Sequence, residues 1–182
     1  MKQLILIFSI IIASGFVLKS CNEEQSLQQY YIEKQESNNF MSIDIPASII
    51  SLKEDVAPEE KETYESLKKL NLLAFKVNDD NKTEFEIEKE KVKQILKGKN
   101  FNELIRMKHK NANVIVKYLG KEDAIDEVIV YASDNEKGFA LARVIGDNMQ
   151  PDKIIKLINN IESVDEDNPL FSQFESIVKE IN

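Results

Sequence analysis

Three runs in the second half of the chain, Ala112 to Leu119, Glu127 to Ala132 and Phe139 to Ile145, alternate apolar with polar residues. Only the short linkers Gly120-Lys121-Glu122-Asp123 and Ser133 to Gly138 separate them. A period of two turns one side of each run toward a core, and the linkers have turn composition. A parallel crossover takes a dozen or more residues, so these runs pair antiparallel. That feature sets aside all-helical and doubly wound parallel folds and makes an antiparallel sheet the base of the structure.

The flanking segments supply what packs on it. Gln25 to Ser37 reads as an amphipathic helix with Leu27, Tyr30, Tyr31 and Lys34 on one side, Tyr30 and Tyr31 being core and rim. Phe40 to Ile45 alternates as a strand, and Pro46, at a first helical position, opens a turn or two through Ile49, Ile50 and Leu52. Pro58, with Glu59, Glu60 and Glu62 behind it and Lys68-Lys69 at the far end, marks a helix matched to its dipole, its apolar side being Tyr64, Leu67 and Leu70. Leu72 to Val77 reads as a buried strand and Asn78 to Asn81 as a turn. Thr83-x-x-Glu86 is a capping box before a helix whose inner face is Phe85, Val92, Ile95 and Leu96, ended by Gly98. Asn100-x-x-Glu103 reads as the cap of a further short helix carrying Phe101, Leu104 and Ile105.

Beyond the alternating runs, Pro151 opens a helix with Ile154, Ile155, Leu157, Ile158 and Ile161. A polar break from Ser163 to Asp167 follows. Asn168 and Pro169 then start a last helix, in which Leu170, Phe171, Phe174, Ile177, Val178 and Ile181 form one apolar stripe. The stripe packs on its own domain or docks into a partner's groove. The expected fold is α+β: a single domain with a largely antiparallel sheet covered by helices, plus a C-terminal amphipathic helix.

The N-terminus speaks about location. Met1-Lys2 precedes an apolar run from Leu4 to Ile12, small and apolar residues continue to Val17, and Leu18-Lys19-Ser20-Cys21 follows. A charged start, a short apolar stretch and small residues before a cut describe a secretory signal peptide. Leu4 to Leu18 holds Ser9, Ser14 and Gly15 and is shorter than the roughly 20 apolar residues of a membrane span. Leu18, Ser20 and Cys21 resemble the aliphatic, small, small, cysteine pattern of bacterial lipoproteins, from which Lys19 departs. Cys21 is the one cysteine in the chain. That likeness implies diacylglycerol on its thiol, cleavage before it and a further acyl chain such as palmitate on the new amino group. Two or more chains anchor stably, at about 0.8 kcal/mol per buried methylene.

The expected organisation is a signal peptide over residues 1–20, a short tether over 21–26, the α+β domain over 27–162, and an acidic hinge with the C-terminal helix over 163–182. Lys2 and Lys19 leave with the signal, so 22 basic residues face 32 acidic ones and the mature net charge is −10. Such a balance argues against nucleic acid and against an anionic membrane surface as ligand. Without a second cysteine no internal disulfide forms, and stability rests on packing.

Chemistry-bearing patterns are sparse. His109, the single histidine, lies between Lys108 and Lys110 and reads as a solvated loop residue. There is no Gly-x-Ser-x-Gly elbow, no P-loop and no dinucleotide fingerprint. Asp79-Asp80-Asn81 and Asp165-Glu166-Asp167-Asn168 place oxygen ligands close together but lack the glycine and glutamate of a calcium loop. No catalytic residue, cofactor or metal is expected. Arg143 in an apolar strand stands out beside Asp126 and Glu127. It faces outward on the alternating strand or, if inward, needs a carboxylate.

Phe40 to Ser48, Phe101 to Ile105, Ala124 to Val130, Lys137 to Ala140 and Arg143 to Asp147 resemble the family called domain of unknown function 4252. The likeness spans about Leu27 to Ile161. It implies a Bacteroidetes-type lipoprotein with an α+β domain and transfers no activity. The expectation is therefore a lipid-anchored envelope lipoprotein of the outer membrane, acting as a non-catalytic binding or structural module. A regulatory component of an envelope-stress circuit is the alternative, and a lipoprotein hydrolase the third reading. The expected partners are the membrane, through lipid on Cys21, and an envelope protein.

Overall fold

The computed structural model describes residues 25–52, 57–109, 111–150 and 161–164. Its elements are α1 (Leu27–Lys34), β1 (Phe40–Pro46), a 3-10 turn (Ala47–Ile49), β2 (Ile50–Leu52), α2 (Pro58–Ser66), β3 (Leu67–Lys76) and α3 (Lys82–Ile95). There follow β4 (Asn102–His109), β5 (Ala112–Lys121), β6 (Ala124–Asp134), β7 (Gly138–Met149) and β8 (Ile161–Val164). The fold is α+β. Six strands form one antiparallel sheet in the order β1-β3-β7-β6-β5-β4, and β2 pairs with β8.

Strands β4 to β7 form a meander, as the alternation and short linkers of this stretch demand. Gly138 opens β7 with φ +128°, where an added Cβ would press into the Phe75 carbonyl of β3. Only glycine takes that backbone without strain. The connection from β3 to β4 must pass over β7, β6 and β5, and α3 lies on that path. One side of the sheet therefore faces helices. Its core joins Leu27, Tyr30 and Tyr31 of α1 with Phe85, Val92 and Leu96 flanking or within α3, and with Phe40, Leu73, Phe75, Ile129, Tyr131, Phe139 and Leu141 of the strands. At one end of this side Phe40, Phe75 and Phe139 stand in register, with ring centroids 5.0 and 5.7 Å apart. Such ring pairs add about 0.5–1.5 kcal/mol each to their burial.

Four local expectations are corrected. Asn102–His109 is an edge strand and not a short capped helix, because Ile105 and Met107 pair with Val116 and Val114 of β5 while Phe101 alone turns to the helix-side core. Helix α2 ends at Ser66, so Lys68-Lys69 and Leu70 belong to β3, where Leu70 lies opposite Ile45 and Val144. Helix α3 starts at Lys82 behind Asn81, ahead of the Thr83 box. The Asn81 side chain instead accepts from Asn78 N–H and donates to the Lys76 carbonyl. Tyr31 is core and not rim, since it is as buried as Tyr30.

Ile161 to Val164 form a strand, so the C-terminal end of the Pro151 helix and the first residues of the polar break are extended. The rest of that helix, the last helix with its stripe, and Leu18, Ser20 and Cys21 lie outside the described residues.

Candidate functional site

Opposite the aromatic end, the helix-facing side carries a row of polar residues. Asp44 on β1 lies across from Asn71 on β3, Asn71 from Arg143 on β7, Arg143 from Ile129 on β6, and Ile129 from Lys117 on β5. Of these, Asn71 and Arg143 are buried beside the core residues Leu73 and Leu141, Lys117 is half-buried, and Asp44 lies exposed on the edge strand. Burying a polar group costs free energy unless it is hydrogen-bonded, and each here is engaged.

Arg143 faces inward and its side chain is 4 % exposed, against 14 % for its partner Glu127. Its Nε–H donates to Glu127 Oε1 at 2.6 Å and its Nη2 to Oε2 at 3.0 Å, a bidentate fork. Nη1 donates to Gln28 Oε1 of α1 at 2.8 Å, and the guanidinium lies 5.8 Å from the centroid of the Tyr31 ring. The ion pair thus ties β7 to β6, and the hydrogen bond to Gln28 pins α1 to β7. The Tyr31 hydroxyl donates to Asp44 Oδ1 at 2.7 Å, and Asn71 Nδ2 donates to the same oxygen. Burial, then the Asp44 carboxylate, pushes the Tyr31 hydroxyl well above its ordinary range. Lys117 Nζ donates to the Leu96 carbonyl at 2.6 Å, holding the C-terminal end of α3.

A second charged group locks α1 to α3. Glu88, 4 % exposed, takes Lys34 at 3.1 Å and Lys91 at 2.8 Å on the same oxygen. Burial alone would raise its carboxyl, but the two ammonium groups hold it below the ordinary range. Its other oxygen and the hydroxyls of Tyr30 and Tyr131 are buried and make no hydrogen bond of ordinary geometry among the described residues, although Tyr30 stands close enough to Glu88, and Tyr131 to Ser133, for each to act on the other. Burial drives the Tyr30 hydroxyl far upward and that of Tyr131 up to about 12.

One concavity adjoins the polar row and a second adjoins the first. A cavity of about 250 Å³ is lined by Leu27, Gln28, Phe101, Leu119, Glu127 and Arg143. An open groove of about 1170 Å³ runs along the outer flank of α3, past Ile87, Lys91, Ile95 and Lys99. Gln25, Ile95, Gly98 and Asn100 border both, so the start of the described chain stands where they meet. The groove mixes apolar side chains with lysines and glutamates.

The other sequence candidates fall elsewhere. Asp126 is exposed at the start of β6, away from the fork. Asp79 pairs with Lys82 in an exposed turn that Asn78 and Asn81 hold together through their side chains. Among the described residues no group of three or more His, Cys, Asp or Glu is placed to hold a metal ion, and no helix is long and apolar enough to cross a membrane. The alternation flagged Arg143 and Glu127. Sequence reasoning misses Asp44, Asn71 and Gln28 and gives Tyr31 no polar role; of these only Asn71, a polar residue in the buried run of β3, carries a local signal, since Asp44 shares its side of β1 with Ser42.

No curated protein and no solved structure matches this chain. Residues 30–157 match the sequence profile described as domain of unknown function (DUF4252), which takes in α1 from Tyr30, the whole six-stranded sheet and the polar row. The chain belongs to the family of that domain.

Proposed function

We propose that this protein is a lipid-anchored lipoprotein of the cell envelope, in the outer membrane, whose domain is a non-catalytic binding or structural module. The observation that carries the reading is the N-terminal sequence: an export-type apolar run that ends in Leu18-Lys19-Ser20-Cys21, with the chain's one cysteine at its close. Asn22-Glu23-Glu24 behind it lacks the aspartate that retains lipoproteins in an inner membrane, which favours outward sorting.

The geometry supports a contact role next to the bilayer. Cys21 precedes Gln25 by four residues, a reach of at most about 14 Å. Gln25 borders the cavity and the groove, so a lipid on Cys21 holds the polar end of the sheet and the α3 groove close to the membrane surface. The titratable side chains of the row are committed to one another, as befits a rigid platform more than a reacting centre. Metabolic labelling with an alkyne fatty acid tests the anchor. The wild type takes up label and partitions into detergent, and Cys21→Ser loses the label. Equal labelling of the two, or no labelling of the wild type, overturns the proposal.

A further inference from the structure

Helices α1 and α3 and strands β5, β6 and β7 meet at the cavity of about 250 Å³ beside the Arg143 fork. Much of its lining is apolar: Leu27 is buried, and Ile95, Phe101 and Leu119 are half-buried around it. The charged part is the fork itself, because Glu127 stands opposite Leu119 in the β5–β6 ladder and holds the Arg143 guanidinium beside it.

The fork has hydrogen-bonding capacity left over. Of the guanidinium's five N–H donors, Arg143 spends two on Glu127 and one on Gln28, which leaves two without a partner among the described residues. Each Glu127 oxygen accepts once in the fork and keeps a second lone pair. Buried capacity of this kind is costly to leave unmet, and both residues line the cavity. Water alone fills the space poorly. At about 30 Å³ each, about eight waters would occupy it, and each needs about three polar partners, which Leu27, Ile95, Phe101 and Leu119 do not supply. Displacing poorly held water by an apolar group gains affinity.

We infer that the cavity binds a small neutral amphiphile, whose apolar ring or short chain lies against Leu27, Ile95, Phe101 and Leu119 and whose carboxamide head accepts from Arg143 and donates to Glu127. The charge balance selects the head. Arg143 and Glu127 cancel and no other lining residue is charged, so a carboxylate would sit beside Glu127, and an amidinium beside Arg143, with no counter-charge of its own. A carboxamide carries both a C=O and an NH₂ and meets the two leftovers together. This gives a ligand class to the binding module proposed above and rests on that reading, though not on its lipid anchor.

Benzamide, benzoate and benzamidine test the inference, since they have one size and nearly one shape but are neutral, anionic and cationic in turn. Each is titrated into the full chain, isotope-labelled at leucine and isoleucine methyl groups and solubilised in a mild detergent, with detergent alone as the blank for partition. Benzamide is expected to give saturable shifts of the Leu27, Ile95 and Leu119 methyl signals, while those of Ile43 and Leu72, on the other side of the sheet, stay still. Benzoate and benzamidine should bind at least about tenfold more weakly. Glu127→Gln keeps an oxygen for the guanidinium but leaves the cavity with one positive charge, and should put benzoate ahead of benzamide. Leu119→Trp, at a half-buried position, fills the cavity from β5 and should abolish the benzamide shifts of Leu27 and Ile95. The wild-type series decides even where a variant fails to fold. Benzoate or benzamidine binding as tightly as benzamide, shifts that spread to the other side of the sheet, or no shift with any of the three, the result of a cavity that holds water alone, would each overturn the proposal. So would a folded Glu127→Gln protein that still ranks benzamide first, or undiminished benzamide binding in Leu119→Trp. The alkyne label reads the anchor and the methyl shifts read the ligand, so either can fail without the other.

Discussion

Removing Glu127 is expected to cost more than any other single side-chain truncation in the polar row. The fork it makes with Arg143 is almost wholly buried, at 14 % and 4 % side-chain exposure. Glu127→Ala leaves a guanidinium under α1 with Gln28 as its one hydrogen-bond partner among the described residues and the Tyr31 ring beside it. Breaking a buried pair from one side costs about 3–5 kcal/mol, a large share of the roughly 5–15 kcal/mol that holds a domain folded. In a domain of this size each kcal/mol moves Tm by about 2–4 °C, so Tm should fall by about 6–20 °C. Arg143→Met should cost less, because the Glu127 left behind lines the cavity and is the more exposed partner. Replacing both by methionine should recover most of the loss, since an apolar pair of similar volume avoids the desolvation of two charges. Urea denaturation of the four proteins measures the three losses. A loss below about 1 kcal/mol for Glu127→Ala, the level of an exposed pair, would show that water solvates the fork and would refute the reasoning.

Gly138→Ala should lose about 3 kcal/mol in the same assay, the upper end for backbone strain, because the φ of +128° and the Phe75 carbonyl both oppose a Cβ. Alkaline titration followed at 295 nm should show Tyr30, Tyr31 and Tyr131, of the five tyrosines, still protonated at pH 11 in the folded protein. Since their folded values are raised, the stability they contribute is intact below the ordinary value of 10.0 and falls as pH rises past it. Glu88 runs the other way: its lowered carboxyl contributes stability above 4.5 that is lost as pH falls below it, so Glu88→Gln should flatten the acid limb of the stability profile. Hydrogen exchange should find the amides of the β6–β7 hairpin among the slowest, and fast exchange throughout it would contradict the sheet.

The meander was legible because period-two alternation, short turn-rich linkers and β-branched residues agree over residues 112–145. Strand β4 was not. Its apolar residues at 101, 104 and 105 imitate helical spacing, and an edge strand with one partner shows only weak alternation. The first half of β3 was hidden in the same way, since Leu67 and Leu70 continue the period of α2 and two lysines imitate a helix end. The fork was half legible, as an arginine at an inward position demands a carboxylate. Which carboxylate, and the whole line from Asp44 through Asn71 to Lys117, depends on strand register that pairs residues up to 72 positions apart and leaves no local trace.

The most direct test of the lipid-anchored reading is intact-mass and N-terminal peptide analysis of the protein extracted from envelopes of cells that express the full chain. The expected mature protein begins at Cys21, with a diacylglyceryl group on the thiol and an acyl chain on its amino group. A protein that still begins at Met1, or one that begins at Cys21 with a free thiol and a free amine, would contradict it.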